Sequence, residues 1–172
     1  RGVEYATPSR GIEHRESLLE YWGLHDGVIV PASMIVRSSL LNDVLFDEHL
    51  RKHEDGDLLL RLHHVTGFRF LAEPQVVWHD EQLTNSGRIS ASPNTLASRR
   101  FIRKHRIEFV DHPEALAGLL YSIGVSVMRA GSIRDGRRFL RDSIGCHAPR
   151  FKLVFLYVSS YFGKRFVGLL FR

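Results

Sequence analysis

The sequence predicts a mixed α/β segment over residues 1–90, followed by an all-helical region over residues 91–172. Three observations carry this expectation. Two runs rich in β-branched and aromatic residues, VIVPASMIV and FRFLAEPQVVWHD, lie in the first segment, each broken by a proline. From about Pro93 onward, apolar residues recur at helical spacing. Within that second region Pro113 and Pro149 stand where prolines open helices.

Taken in order, residues 11–22 (GIEHRESLLEYW) read as a short helix, with Ile12, Leu18, Leu19 and Trp22 at loosely helical spacing. The run around Pro31 reads as strand, kink, strand. Ser38 to Val44 reads as a short helix, and FDEHLRKH as the loop after it. Residues 54–66 read as a helix with an acidic first turn, Leu58, Leu62 and Val65 on one face and Gly67 as its stop. Two strand-like pieces flank Pro74. Beyond them, residues 94–107 form a basic helix, Pro113 opens another that ends near Gly131, and Asp135 to Ile144 makes a third. Pro149 opens a last, very apolar stretch. Residues 113–146 thus form a helical hairpin, and a single hairpin makes no repeat array.

The composition, 44% hydrophobic and 25% charged, is that of a globular protein and excludes a disordered one. The lone cysteine, Cys146, leaves no internal disulfide to form and fits a reducing, cytoplasmic setting as a buried thiol. Arg1 opens the chain with no charged-then-apolar leader behind it, as expected of a start inside a longer chain. The net charge of +5 favours anionic partners. Its excess is concentrated late: no acidic residue follows Asp142, whereas Arg150, Lys152, Lys164, Arg165 and Arg172 do.

The chemistry-bearing stretch is FDEHLRKHEDGDLLLRL, residues 46–62. Asp47, Glu48, Glu54, Asp55 and Asp57 crowd into it, interleaved with basic residues. A carboxylate delivered to a helix N-terminus is stabilised as the anion by the helix dipole and free N–H groups. A fixed, ionised carboxylate suits general-base chemistry on a hydroxyl. Spacing alone equally supports a plainer role for Asp55, that of a helix cap.

The ordered set Phe46-Asp47-Glu48, then Glu54-Asp55-Gly56-Asp57-Leu58-Leu59-Leu60-Arg61, resembles the acceptor-side signature of family-two glycosyltransferases. PASMIVRSSLL upstream and GFRFLAEPQVVWH downstream resemble the segments that flank it there, so the likeness covers about residues 30 to 90. It departs at one point: Val44-Leu45 stand where members often carry glycine before the FDE turn. The resemblance implies the C-terminal portion of a glycosyltransferase-A fold, with the donor-binding half upstream of Arg1 and this chain inactive alone. It implies inverting transfer from a nucleotide-sugar donor, a UDP-sugar, to a hydroxyl of a glycan or lipid-linked acceptor. Asp55 is then the catalytic base, Glu54, Asp47 and Glu48 bind acceptor, and Asp57 and Arg61 support the helix. Asp55-Gly56-Asp57 is also an Asp-x-Asp, the donor and metal motif of that fold. The polar residues before it and the apolar helix after it argue against that role.

His79 closes the run Val76-Val77-Trp78. The same resemblance implies a divalent metal, Mn or Mg, with His79 as a ligand and the ion acting as Lewis acid on the leaving diphosphate. His49 and His53 stand four apart, in a segment that reads as loop.

Two basic features remain. The run Arg99-Arg100-Arg103-Lys104-Arg106 suggests a non-catalytic module binding nucleic acid or a scaffold, but no recognition-helix, zinc or aromatic-platform pattern accompanies it, so no nucleic-acid partner is expected. Residues 150–172 mix Phe, Leu and Tyr with lysine and arginine, and their longest charge-free run, Leu153 to Gly163, is far short of the roughly 20 residues of a membrane span. That composition suits either a helix lying on the inner face of an anionic membrane or burial against protein.

Overall fold

Ser17 starts the first helix, α1 (Leu18–Leu24), by a reciprocal pair of hydrogen bonds. Its Oγ accepts from the Glu20 amide at 3.0 Å, while the Glu20 carboxylate accepts from the Ser17 amide at 3.0 Å. The computed structural model describes residues 8–13, 16–24, 29, 31–77, 94–147 and 151–162. The sequence reading started this helix at residue 11, but the capping box at Ser17 sets its start. Upstream, Arg10 holds both carboxylate oxygens of Glu16, each at 2.7 Å, and its carbonyl accepts from the Tyr21 hydroxyl.

The chain divides into two units, Arg1–Gly87 and Arg88–Arg172. In the first, α1 packs on α3 (Glu54–Val65), with α2 (Ser38–Leu41) between them in sequence. Gly56 makes the α1 contact possible: a methyl group there would stand 2.8 Å from the Trp22 ring. On another side of α3, Leu58 and Leu62 are buried with Val44 and are covered by Met34, Val36, Leu40 and Phe68. With Gly56, Asp57, Leu59 and Leu60 buried as well, α3 is the axis about which this unit is built.

Neither expected strand pair is present among the described residues; Val28 and Val30 of the first run lie outside them. Pro31–Ser33 forms a single 3-10 turn, the Met34 amide donating to the Pro31 carbonyl at 3.1 Å, and residues 34–37 are irregular. Residues 66–77 are irregular too. There the neighbours Phe70 and Leu71, and again Val76 and Val77, are all exposed. A half-buried strand would hide alternate residues; adjacent exposed pairs leave no face to bury. Pro31 and Pro74 also lack the N–H that a ladder needs. Among the described residues there is no strand and no sheet, so the expectation of an α/β, glycosyltransferase-A fold is overturned: the described chain is helical. Apolar β-branched residues favour a pleated surface only where a neighbouring strand supplies one. Trp78 to Asp80, the end of the second run, lie outside the described residues.

In the second unit Asn94 caps α4 (Thr95–Lys104), its side chain accepting from the Ala97 amide at 3.0 Å. The basic helix expected over residues 94–107 is interrupted at His105, and α5 (Arg106–Asp111) follows. The buried His105 ring lies 4.9 Å from the Phe101 ring, and its Nδ1 is 3.2 Å from the Glu108 carboxylate. Phe101 and Phe139 are wholly buried, and each contributes about 2–3 kcal/mol.

The hairpin of α6 (Pro113–Arg129) and α7 (Ile133–Cys146) is the main packing event of this unit. Gly131, at φ 95°, turns the chain. Its amide donates to the Met128 carbonyl at 2.9 Å, and the Ser132 amide donates to the Val127 carbonyl at 3.1 Å. This is a Schellman closure of α6. Gly124 and Gly136 let the two helix backbones meet, and Ser143 donates across the pair to the Ala117 carbonyl at 2.7 Å. Finally α8 (Phe151–Ser159) and a 3-10 turn (Ser160–Phe162) lay Leu153 and Leu156 against Met128 and Leu140.

Candidate functional site

The candidate site is the N-terminus of α3 and the turn that leads to it. Asp47 builds that turn: its Oδ1 accepts from the His49 amide at 2.9 Å, and its carbonyl accepts from the Leu50 amide at 2.9 Å. Leu50 is buried and anchors the turn, while Glu48 stands exposed on it.

His53 occupies the position before α3 with φ 64° and ψ 20°, the left-handed region that a histidine adopts only at a cost of about 1–2 kcal/mol. Its carbonyl accepts the first helical hydrogen bond, from the Asp57 amide at 2.9 Å. Burial pushes the His53 imidazole down to about 4, with Lys52 adding to the effect and Asp55 opposing it. The ring is therefore neutral near pH 7.

Glu54 and Asp55 open the helix, both half-buried. The cap position belongs to His53 and not to Asp55, yet Asp55 does serve the helix end, because its Oδ1 accepts from the Gly56 amide at 2.8 Å. Its second oxygen is not used in that bond. The location, within the first turn, is where the helix dipole favours a negative group.

Asp57 is fully buried, and Arg61 one turn on holds it, with Nε 2.8 Å from Oδ2. The same guanidinium donates to the carbonyl of Leu45, the residue before Phe46-Asp47-Glu48. Arg61 thus ties the two halves of the carboxylate-rich stretch together. Trp22, against Gly56, supports the same helix end from α1. Neither the strained His53 backbone nor the Trp22 contact was part of the sequence expectation. Gly56 inside an apolar helix was the one available signal for a close neighbour.

His79, expected as a metal ligand, lies outside the described residues. Among the described residues no three His, Cys, Asp or Glu side chains are grouped to hold a metal ion. On α4, the Arg99 guanidinium lies 4.6 Å over the Phe139 ring, which gives one member of the basic run a packing role. Cys146 is half-buried, and burial pushes its thiol up, with Asp142 adding to the shift. Comparison with protein-family models, with curated proteins and with solved structures finds no match.

Proposed function

We propose that this chain carries the catalytic base of an inverting glycosyl transfer, with Asp55 in that role. The reaction class does not depend on a particular sheet, because function resides in a site and recurs on unrelated folds. The Asp55 carboxylate takes the proton of an acceptor hydroxyl as that oxygen attacks the anomeric carbon of a nucleotide-sugar. The bond from that carbon to the nucleoside diphosphate breaks on the opposite side, which inverts the configuration. Glu54, Asp47 and Glu48 serve the acceptor, a glycan or lipid-linked saccharide, and the donor is a UDP-sugar. A divalent ion, Mn or Mg, with His79 among its ligands, completes the reading on the resemblance alone.

One observation carries most weight in support. Arg61 bridges buried Asp57 and the Leu45 carbonyl, so the FDE turn and the Glu54-Asp55 helix start are held as one piece. Asp55 thereby stands on a braced support with one carboxylate oxygen outside its helix-end bond. In the protein as its own gene produces it, Asp55→Asn should cut nucleoside diphosphate release from UDP-sugars by roughly 10²–10⁴-fold, with an unchanged melting curve. Turnover that survives this change would remove Asp55 from the reaction.

A further inference from the structure

The two sides of α8 have different surroundings. Leu153 and Leu156 are buried on Met128 and Leu140. The turn after the helix is pinned by Arg137, which donates to the Ser160 hydroxyl at 2.9 Å and to the Ser160 carbonyl at 2.7 Å. Its guanidinium also lies 3.7 Å over the Tyr161 ring. This leaves Phe151, Val154, Phe155 and Val158 facing outward at i, i+3, i+4 and i+7, and Phe162 one turn further, with Phe151 83% and Phe162 71% exposed. The Phe151 and Phe155 rings stack on each other at 6.2 Å. An apolar stripe of this kind is not the scatter of single hydrophobic residues normal to surfaces; it marks a contact face.

Charge identifies what meets it. Lys152 is exposed beside the stripe, and no acidic residue follows Asp142 in the sequence, while Arg150, Lys152, Lys164, Arg165 and Arg172 do. A second copy packed face to face would bring Lys152 against the same apolar and basic face of its partner. The partner must be apolar within and anionic at its surface.

We propose that this face of α8 docks on an anionic membrane surface, with Phe151, Phe155 and Phe162 in the headgroup boundary and Lys152 on lipid phosphates. The helix lies in the interface and does not cross it, since no helix among the described residues is long and apolar enough to span a membrane. The proposal holds whether or not the chain transfers sugar.

Co-sedimentation of the full chain with vesicles of phosphatidylcholine, with and without phosphatidylglycerol, tests it. Binding is expected only with the anionic lipid and is expected to weaken as salt is raised. The double variant Phe151→Ser/Phe155→Ser should lower affinity by at least about tenfold, and Lys152→Gln by roughly fivefold. All three side chains are exposed, so an unchanged circular dichroism spectrum should accompany both losses. No binding to anionic vesicles, or equal binding to both vesicle types, overturns the proposal. A dimer seen by analytical ultracentrifugation and abolished by the double variant would assign the face to a second copy, which also overturns it.

Discussion

The Asp57 carboxylate and the Arg61 guanidinium form a pair at 2.7 Å in which the acid has no exposed surface and the base retains 27%. Burying a carboxylate is costly unless a cation and hydrogen bonds compensate it. Removing the partner therefore costs more than making the pair gained. Arg61→Ala should destabilise the fold by about 2–4 kcal/mol, below the full cost of an unpaired buried charge because water already reaches Arg61. Urea denaturation checks this. Adding Asp57→Leu to that variant should recover most of the loss, since no buried charge then remains.

How far the sequence disclosed this arrangement depends on whether the signal was local. Pro113 and Gly131 bounded α6 because each acts through its own backbone: a fixed φ at the helix start and a left-handed turn at its end. Ser17-x-x-Glu20 was equally local, and the reading of a helix from residue 11 overlooked it. Residues 31–36 and 68–77 misled because β-propensity describes a fit to a neighbouring strand, and no such neighbour exists among the described residues. At the site, Asp57 and Arg61 are expected only to support the helix, and the structure shows how: they pair at i, i+4. The bond from Arg61 to Leu45 spans sixteen residues and left no mark in the spacing. His53 in the left-handed region was also unsignalled, since neither glycine nor asparagine stands there.

His53 makes stability depend on pH. In the folded chain its imidazole protonates only at about 4, against 6.5 ordinarily, because burial disfavours the charged form. Between those values the unfolded chain binds the extra proton, so stability present above pH 6.5 is lost as the pH falls towards 4. Asparagine does not titrate, tolerates the left-handed backbone and is a favoured cap. His53→Asn should therefore raise stability by about 1 kcal/mol at neutral pH. Its advantage should widen as the solution is acidified, read as the difference in melting temperature between variant and parent.

Glycine replacements in the α6–α7 hairpin should have opposite signs. Alanine is ordinarily the better helix residue by about 1 kcal/mol. At Gly136 a methyl group would strike Met128 and come within 2.7 Å of the Gly124 carbonyl oxygen, part of a helix backbone that cannot yield cheaply. Gly136→Ala should cost about 1–3 kcal/mol in spite of its propensity. Gly145, near the end of α7, has no atom within 4 Å of such a methyl, so Gly145→Ala should gain a few tenths to about 1 kcal/mol. Thermal melts of the two variants check the opposite signs.

Arg137→Lys should loosen α8 although the charge is kept. The guanidinium makes two hydrogen bonds to Ser160 and lies flat on the Tyr161 ring, and it does all three from one planar group. A lysine ammonium is a point charge on a flexible stem and cannot serve both acceptors while stacking. Ser160 is fully buried, so its carbonyl would lose a donor that water cannot easily replace. The expected cost is about 1–3 kcal/mol, with faster proteolysis after α7 as the local readout. Arg138→Lys is the control: Arg138 is half exposed and 3.3 Å from Asp135, a surface pair whose exchange should change stability by less than about 0.5 kcal/mol. Equal effects at the two positions would mean that Arg137 contributes only its charge, and that α8 is held by Leu153 and Leu156 alone.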